Sequence, residues 1–106
     1  MRIKSELLWG ENIRNKSKIY DLLQAGKLPL GYYLLLCTKD GQLEIISSKM
    51  YTNKYYLSKE GVVFGIAHGK NEIYAMIEDI MNQIYVENRY ISVKAFAGEV
   101  LGKPIC

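Results

Sequence analysis

Side chains that carry out most metal and covalent chemistry are scarce in this chain. Its 106 residues include one histidine, His68, and two cysteines, Cys37 and Cys106. A structural metal site needs about four clustered ligands, and a disulfide framework needs several paired cysteines. The counts favour neither, and we expect no metal site and no cofactor.

Long apolar segments are also missing. The longest apolar run, residues 28–37, is about ten residues, whereas a membrane-spanning helix needs about 20. The first residues, Met-Arg-Ile-Lys-Ser-Glu, are charged and do not resemble the apolar core of a signal peptide. We therefore expect a cytoplasmic protein without membrane contacts.

Strong charge of one sign is lacking as well. The formal net charge is +3, and the first 60 residues carry ten Lys and Arg against six Asp and Glu. This mild bias falls short of the dense basic stripe that makes nucleic acid the leading partner. Nucleic acid is therefore an alternative partner.

Tyrosine is the abundant aromatic residue, with nine Tyr against two Phe and one Trp. A tyrosine has an apolar body and a polar tip, which suits half-buried sheet faces and interfaces better than a dry core. The composition therefore favours a globular domain that associates with a partner.

The first 51 residues predict a helix and a hairpin. Asn12 is the expected N-cap of a helix that reaches Ala25, and Gly26 is its expected C′ residue. Apolar residues share one face of this helix: Ile13, Ile19, Tyr20 and Leu23. Strands are predicted over Tyr32–Thr38 and, nearer a sheet edge, Leu43–Tyr51, joined by a turn with Asp40-Gly41 at its centre.

The second half predicts a strand, a helix and a strand. Val62–Ala67 is short and apolar, and Asn71–Glu87 has isoleucines at helical spacing, namely Ile73, Ile77, Ile80 and Ile84. A fourth strand is predicted where Ile91, Val93, Ala95 and Ala97 alternate with polar residues. A strand–helix–strand unit of this kind is right-handed with parallel strands.

These elements predict a single α+β domain over residues 1–106. The element order is α-β-β-β-α-β, with a four-stranded mixed sheet and two helices packed on one face. Residues 1–11 are expected to form an N-terminal arm, and residues 98–106 a tail. The opposite sheet face would expose either Tyr33, Leu35 and Cys37 or Tyr32, Leu34 and Leu36. An apolar face of this kind favours homodimerisation.

The turn between Gly65 and Asn71 is the candidate anion-binding site. Its residues are Gly65, His68, Gly69, Lys70 and Asn71, and backbone N–H groups at a helix start attract phosphate. A P-loop needs one more residue between its glycines and a Ser or Thr after the lysine, which are both missing here. The alternative is a structural turn in which Gly69 adopts an unusual backbone angle, Asn71 caps the helix and Glu72 favours its positive end.

Catalytic residues are not assigned. Cys37 and His68 are the one conceivable nucleophilic pair, but Cys37 lies in an apolar strand, where cysteine usually acts as a small hydrophobe. We expect a protein that is not an enzyme.

Two groups of residues are candidates for nucleic-acid binding. The first is a basic patch on or near the first helix, namely Arg14, Lys16, Lys18 and Lys27. The second group is Lys54, Tyr55 and Tyr56, in which the two tyrosines lie between Lys54 and Lys59. The alternatives are a solvated helix face for the first group and packing against the sheet or a partner subunit for the second.

The element order over residues 12–87 resembles that of the double-stranded RNA-binding domain. The segment "GIAHGKNEIYAMIEDIM" is similar to that family's glycine-rich strand end and lysine-bearing helix start. The resemblance implies phosphate contacts from a lysine cluster at the helix start. Only Lys70 matches that cluster, because Asn71 and Glu72 stand where further basic residues would be. Shared topology does not carry function.

The function that ranks first is therefore a small cytoplasmic interaction or regulatory domain that forms a homodimer through an apolar, tyrosine-rich sheet surface. An unknown protein partner is compatible with the same surface. The alternatives are a nucleic-acid-binding module and a small anion or nucleotide site at the Gly65–Asn71 turn.

Overall fold

The computed structural model describes residues 2–51 and 60–86. The strands are β1 (Arg2–Trp9), β2 (Tyr32–Thr38), β3 (Leu43–Ser47) and β4 (Gly61–His68). The helices are α1 (Lys16–Gln24), the short α2 (Ser48–Tyr51) and α3 (Lys70–Met81), and α3 continues into a π-helical turn over Asn82–Val86. The strands form one mixed sheet in the order β1-β4-β2-β3. The predicted α+β fold with a four-stranded mixed sheet is confirmed.

The predicted hairpin is formed by β2 and β3, which pair antiparallel. The turn is closed by hydrogen bonds from the Gly41 N–H to the Thr38 carbonyl (2.9 Å) and from the Thr38 N–H to the Gln42 carbonyl (2.8 Å). Gly41 has φ 81°, a left-handed angle that glycine adopts without steric cost. The Asp-Gly signal in the sequence therefore located the turn correctly.

The segment predicted as an N-terminal arm is a strand of the sheet. Residues 2–9 form β1, which pairs parallel with β4 at one end of the described strand order. Alternation of apolar and polar residues is poor in β1, and its register with β4 shifts between Ile3 and Leu8. The predicted fourth strand at 91–97 and the predicted tail at 98–106 lie outside the described residues.

Helix α1 begins at Lys16, four residues after the predicted N-cap. Asn15 precedes it with φ 42°, so the predicted cap at Asn12 is wrong. The end of the helix was predicted correctly. The Gly26 N–H donates to the Leu23 carbonyl (3.1 Å) and the Lys27 N–H to the Leu22 carbonyl (2.9 Å), the pair of bonds that defines a Schellman motif.

Strand β3 is shorter than predicted because Ser47 starts a helical turn. The Ser47 Oγ accepts a hydrogen bond from the Met50 N–H (3.2 Å), as an N-cap serine does. The resulting helix α2 brings Tyr51 into the core, where its hydroxyl donates to the Leu23 carbonyl of α1 (2.7 Å).

The helices pack on opposite faces of the sheet, so the predicted packing on one face is wrong. Ile19 and Leu23 of α1 join Leu34 and Leu36 on one face. The other core cluster combines residues from β2, β4 and α3, namely Leu35, Cys37, Phe64, Ala67, Ile73 and Ile80. Since β2 is apolar on both faces, each face needs its own cover.

The predicted exposed sheet face is therefore absent from the middle of the sheet. Residues Leu34 to Cys37 and Val62 to Ala67 are buried. However, a single helix is about 10 Å wide and four strands span roughly 19 Å at their usual spacing. The main contacts of helix α3 are with β4 and β2, the two central strands. On that face, the outer strands β1 and β3 are therefore only partly covered by α3.

Candidate functional site

The strand-to-helix junction at residues 64–72 is held together by its own residues. Gly69 precedes α3 with φ 97°, which only glycine adopts readily, and its N–H donates to the Gly31 carbonyl (2.8 Å). Asn71 makes no side-chain cap, so the predicted cap is wrong. Glu72, in the first turn of α3, instead accepts a hydrogen bond from the His68 N–H through its Oε1 (3.1 Å) and places negative charge near the helix N-terminus.

Glu72 also connects the junction to the segment that follows β1. Its Oε2 accepts a hydrogen bond from the Asn12 N–H (2.7 Å). Gly10 leaves space for the carboxylate, because a Cβ on Gly10 would overlap the Glu72 carboxyl group. The Gly10 N–H donates to the Ile66 carbonyl (2.8 Å), which fixes the approach of the two segments.

The five predicted anion-binding residues do not come together at one site. Gly65 is buried inside β4, where a Cβ would lie 3.0 Å from the Leu35 Cδ1. His68 and Lys70 are exposed at the junction, with Gly69 and Asn71 beside them. An anion at this helix start would have to compete with the Glu72 carboxylate. The anion-binding hypothesis stays a prediction.

His68 stacks on Tyr32, and the two ring centroids are 4.5 Å apart. The register pairs Tyr32 with His68 at one end of β2 and Cys37 with Val62 toward the other. Five strand residues at about 3.3 Å each place Cys37 roughly 16 Å along the sheet from His68. That separation is too long for a nucleophile and its base.

The basic patch near α1 is exposed as the sequence predicts. Arg14, Lys16, Lys18 and Lys27 all reach solvent. The first turn of α1 contains no acidic residue, so its lysines lie at the positive end of the helix dipole. Lys54, Tyr55 and Tyr56 lie outside the described residues.

An open cleft of about 530 Å³ lies between the end of β1 and one flank of α3. We call it the β1–α3 cleft. Its described lining comes from both segments: Leu8, Trp9, Gly10, Glu11, Asn12, Asn71, Glu72, Ala75, Met76 and Asp79. The sequence carries no local signal for this cleft, because its two walls are about 60 residues apart in the chain.

The other flank of α3 carries apolar residues toward β3. We call it the α3–β3 surface. Its members are Tyr33, Leu43 and Ile45 of the sheet with Tyr74, Ile77, Met81 and Tyr85 of the helix and the turn that follows it. Tyr74 is 57% exposed and Tyr85 68%, whereas the other five are half-buried. The 74, 77, 81, 85 spacing places the helical members on one flank.

Tyr51 is an ionisable residue with a shifted pKa. Burial raises the pKa of the Tyr51 phenol above its ordinary value of 10.0. Tyr51 lies in the core, and its role is structural. Within residues 2–51 and 60–86, no three His, Cys, Asp or Glu side chains come together as metal ligands.

Comparisons with known proteins identify no relative. No protein-family model matches the chain, and neither a curated protein nor a solved structure is significantly similar to it. In the part of the chain that the structure describes, no helix is long and apolar enough to cross a membrane. Function must therefore be argued from the surfaces themselves.

Proposed function

We propose that this chain is a small, non-enzymatic interaction domain that pairs with a second copy of itself through the α3–β3 surface. The observation that supports the proposal is the exposure of Tyr74 and Tyr85. By helical spacing they share the flank of α3 whose Ile77 and Met81 pack in one cluster with Leu43 and Ile45 of β3. Tyrosine and methionine are enriched in protein interfaces, where their apolar area is buried and charge is sparse.

The surface has a shape that suits a twofold symmetric pair. Helix α3 forms a ridge, and the face of β3 beside it, with the half-buried Leu43 and Ile45, is lower because α3 packs mainly over β4 and β2. A twofold axis would place the ridge of each copy over β3 of the other. One patch then serves both partners, as in isologous dimers.

This surface differs from the one that the sequence predicts. The middle of β2, which the predicted face would expose, is buried, and the proposed surface lies instead on β3 and α3. Of the β2 residues named for that face, Tyr32 and Tyr33 are half-buried, and Tyr33 belongs to the α3–β3 surface.

Sedimentation velocity of a charge-inserting variant tests the proposal. Tyr74→Glu/Tyr85→Glu places two carboxylates on exposed positions of the surface, so we expect the pair to dissociate without loss of fold. Leu30→Glu is the matched control, because Leu30 is apolar, 77% exposed and outside the surface. Equal sedimentation of both variants and the wild type would count against the proposal.

A second candidate function is nucleic-acid binding by the basic patch. Lys16 and Lys18 lie at the start of α1, where carboxylates would stabilise the helix and lysines do not. Their placement is unfavourable for the helix alone and favourable for a bound phosphate. Helix stability thus gives no reason for Lys18, whereas phosphate binding does, and Lys16 also lies over the Trp9 ring.

A further inference from the structure

We propose that the β1–α3 cleft binds a basic, extended segment of a partner protein. The cleft lies on the flank of α3 opposite to the α3–β3 surface, so the proposal is independent of self-association. It rests on the apolar floor of the cleft, the charge of its rim and the contacts of Trp9.

The floor of the cleft suits aliphatic side chains. Leu8, Trp9, Ala75 and Met76 line it, and its volume of about 530 Å³ lies in the range of ligand pockets. Gly10 adds no side chain, and the Glu72 carboxylate fills the space beside it. The stems of Lys or Arg and a neighbouring Leu would bury apolar area here.

The rim of the cleft suits positive charge. Glu11, Glu72 and Asp79 line it, and no Lys or Arg is among its described lining residues. The Asp79 Oδ2 accepts a hydrogen bond from the Gln83 Nε2 (2.9 Å), which keeps this carboxylate oriented. A cationic segment would therefore meet a field of opposite sign.

Trp9 contributes an aromatic surface to the cleft. The Lys16 Nζ lies 5.9 Å from the centroid of the Trp9 ring, within cation–π distance. The indole is therefore already in contact with a cation of the chain itself, and its remaining surface adds apolar area to the cleft.

A peptide explains the amide groups of the cleft better than a free amine does. Asn12 and Asn71 both line it and are exposed. Each side-chain amide offers donors and an acceptor, the complement of a peptide backbone. A small amine would use the carboxylates and leave these amides unused.

Fluorescence of Trp9 reports binding directly, because it is the single tryptophan of the chain. The probes are acetylated and amidated Lys-Leu-Lys-Leu-Lys, the matched Gln-Leu-Gln-Leu-Gln peptide, and lysine amide. We expect saturable binding of the lysine peptide that weakens as salt is added. Glu11→Gln/Asp79→Asn should weaken this binding about fivefold, whereas Glu78→Gln on the same helix outside the cleft should not.

Three results would overturn the proposal. Equal affinity for the glutamine peptide would show that charge is not recognised. Unchanged binding by Glu11→Gln/Asp79→Asn would place the peptide elsewhere. An equally strong response to lysine amide would assign the cleft to small amines. Tyr74→Glu/Tyr85→Glu should bind the lysine peptide as the wild type does, which separates this test from that of self-association.

Discussion

The carboxyl group of Glu72 occupies the space that a side chain on Gly10 would need. The two residues are 62 positions apart, and their contact joins the end of β1 to the start of α3. The Glu72 carboxylate accepts hydrogen bonds from the N–H groups of His68 and Asn12 in this position. The segment "FGIAHGKNE" is therefore part of a structural junction.

Gly10→Ala should destabilise the fold by displacing Glu72. We expect a loss of about 1–3 kcal/mol in the free energy of unfolding, the usual cost of breaking hydrogen bonds to a charged group. Urea denaturation followed by circular dichroism measures it. In a Glu72→Ala background the same change should be neutral or slightly stabilising, because the clash is gone and alanine restricts the unfolded chain. Additive effects in this double-mutant cycle would contradict the described contact.

Glu72→Gln should cost about 1–2 kcal/mol, since an amide has one acceptor oxygen and Glu72 uses two. The variant also loses the favourable charge near the N-terminus of α3. Glu78→Gln on the exposed side of the same helix is the control, with an expected change within about 0.5 kcal/mol. Equal stability of the two variants would argue against a special role for Glu72.

The sequence predicted elements whose signals are local. The apolar run of β2, the Asp40-Gly41 turn and the isoleucine spacing of α3 each lie within one element or one turn, and each was placed correctly. The helix bounds were less accurate, because Asn15 adopts a left-handed angle before α1 and Ser47 starts α2.

The sequence did not predict features that depend on distant residues. Strand β1 is held in the sheet by its parallel pairing with β4, and its apolar and polar residues do not alternate regularly. The Gly10–Glu72 contact and the β1–α3 cleft join the same two distant segments. The apolar residues on both faces of β2 are a sequence signal for helices on both sides of the sheet. The same pattern also fits a sheet face that is covered by a second copy of the chain, which is the prediction that proved wrong for the middle of the sheet.

Tyr51→Phe should lower the free energy of unfolding by about 1 kcal/mol at neutral pH through loss of the hydrogen bond to Leu23. The loss should be modest, because the Leu23 carbonyl also accepts a bond from the Gly26 N–H. Burial raises the pKa of Tyr51 above 10.0, so the folded state keeps the phenol proton to higher pH than the unfolded chain does.

The contribution of Tyr51 to the free energy of unfolding is therefore complete below about pH 10, and it declines as the pH rises above that value. Denaturation at several pH values should show the wild type losing its advantage over Tyr51→Phe under alkaline conditions. An advantage of the wild type that persists or grows above pH 10 would contradict the assignment.

Arg14→Ala/Lys18→Ala tests the second candidate function. If the basic patch binds phosphate, mobility-shift assays with duplex RNA and duplex DNA at low salt should show binding that falls steeply as salt increases. The variant should bind more weakly at every salt concentration, and Lys39→Ala, a remote exposed lysine, should not. Absence of any shift at low salt would remove nucleic acid from consideration.

Light scattering of the wild-type chain over a dilution series tests self-association most directly. We predict a molar mass near twice the 12.2 kDa of one chain at high micromolar concentration, with a decline toward one chain on dilution. A mass of one chain at every concentration would contradict the proposed pairing through the α3–β3 surface.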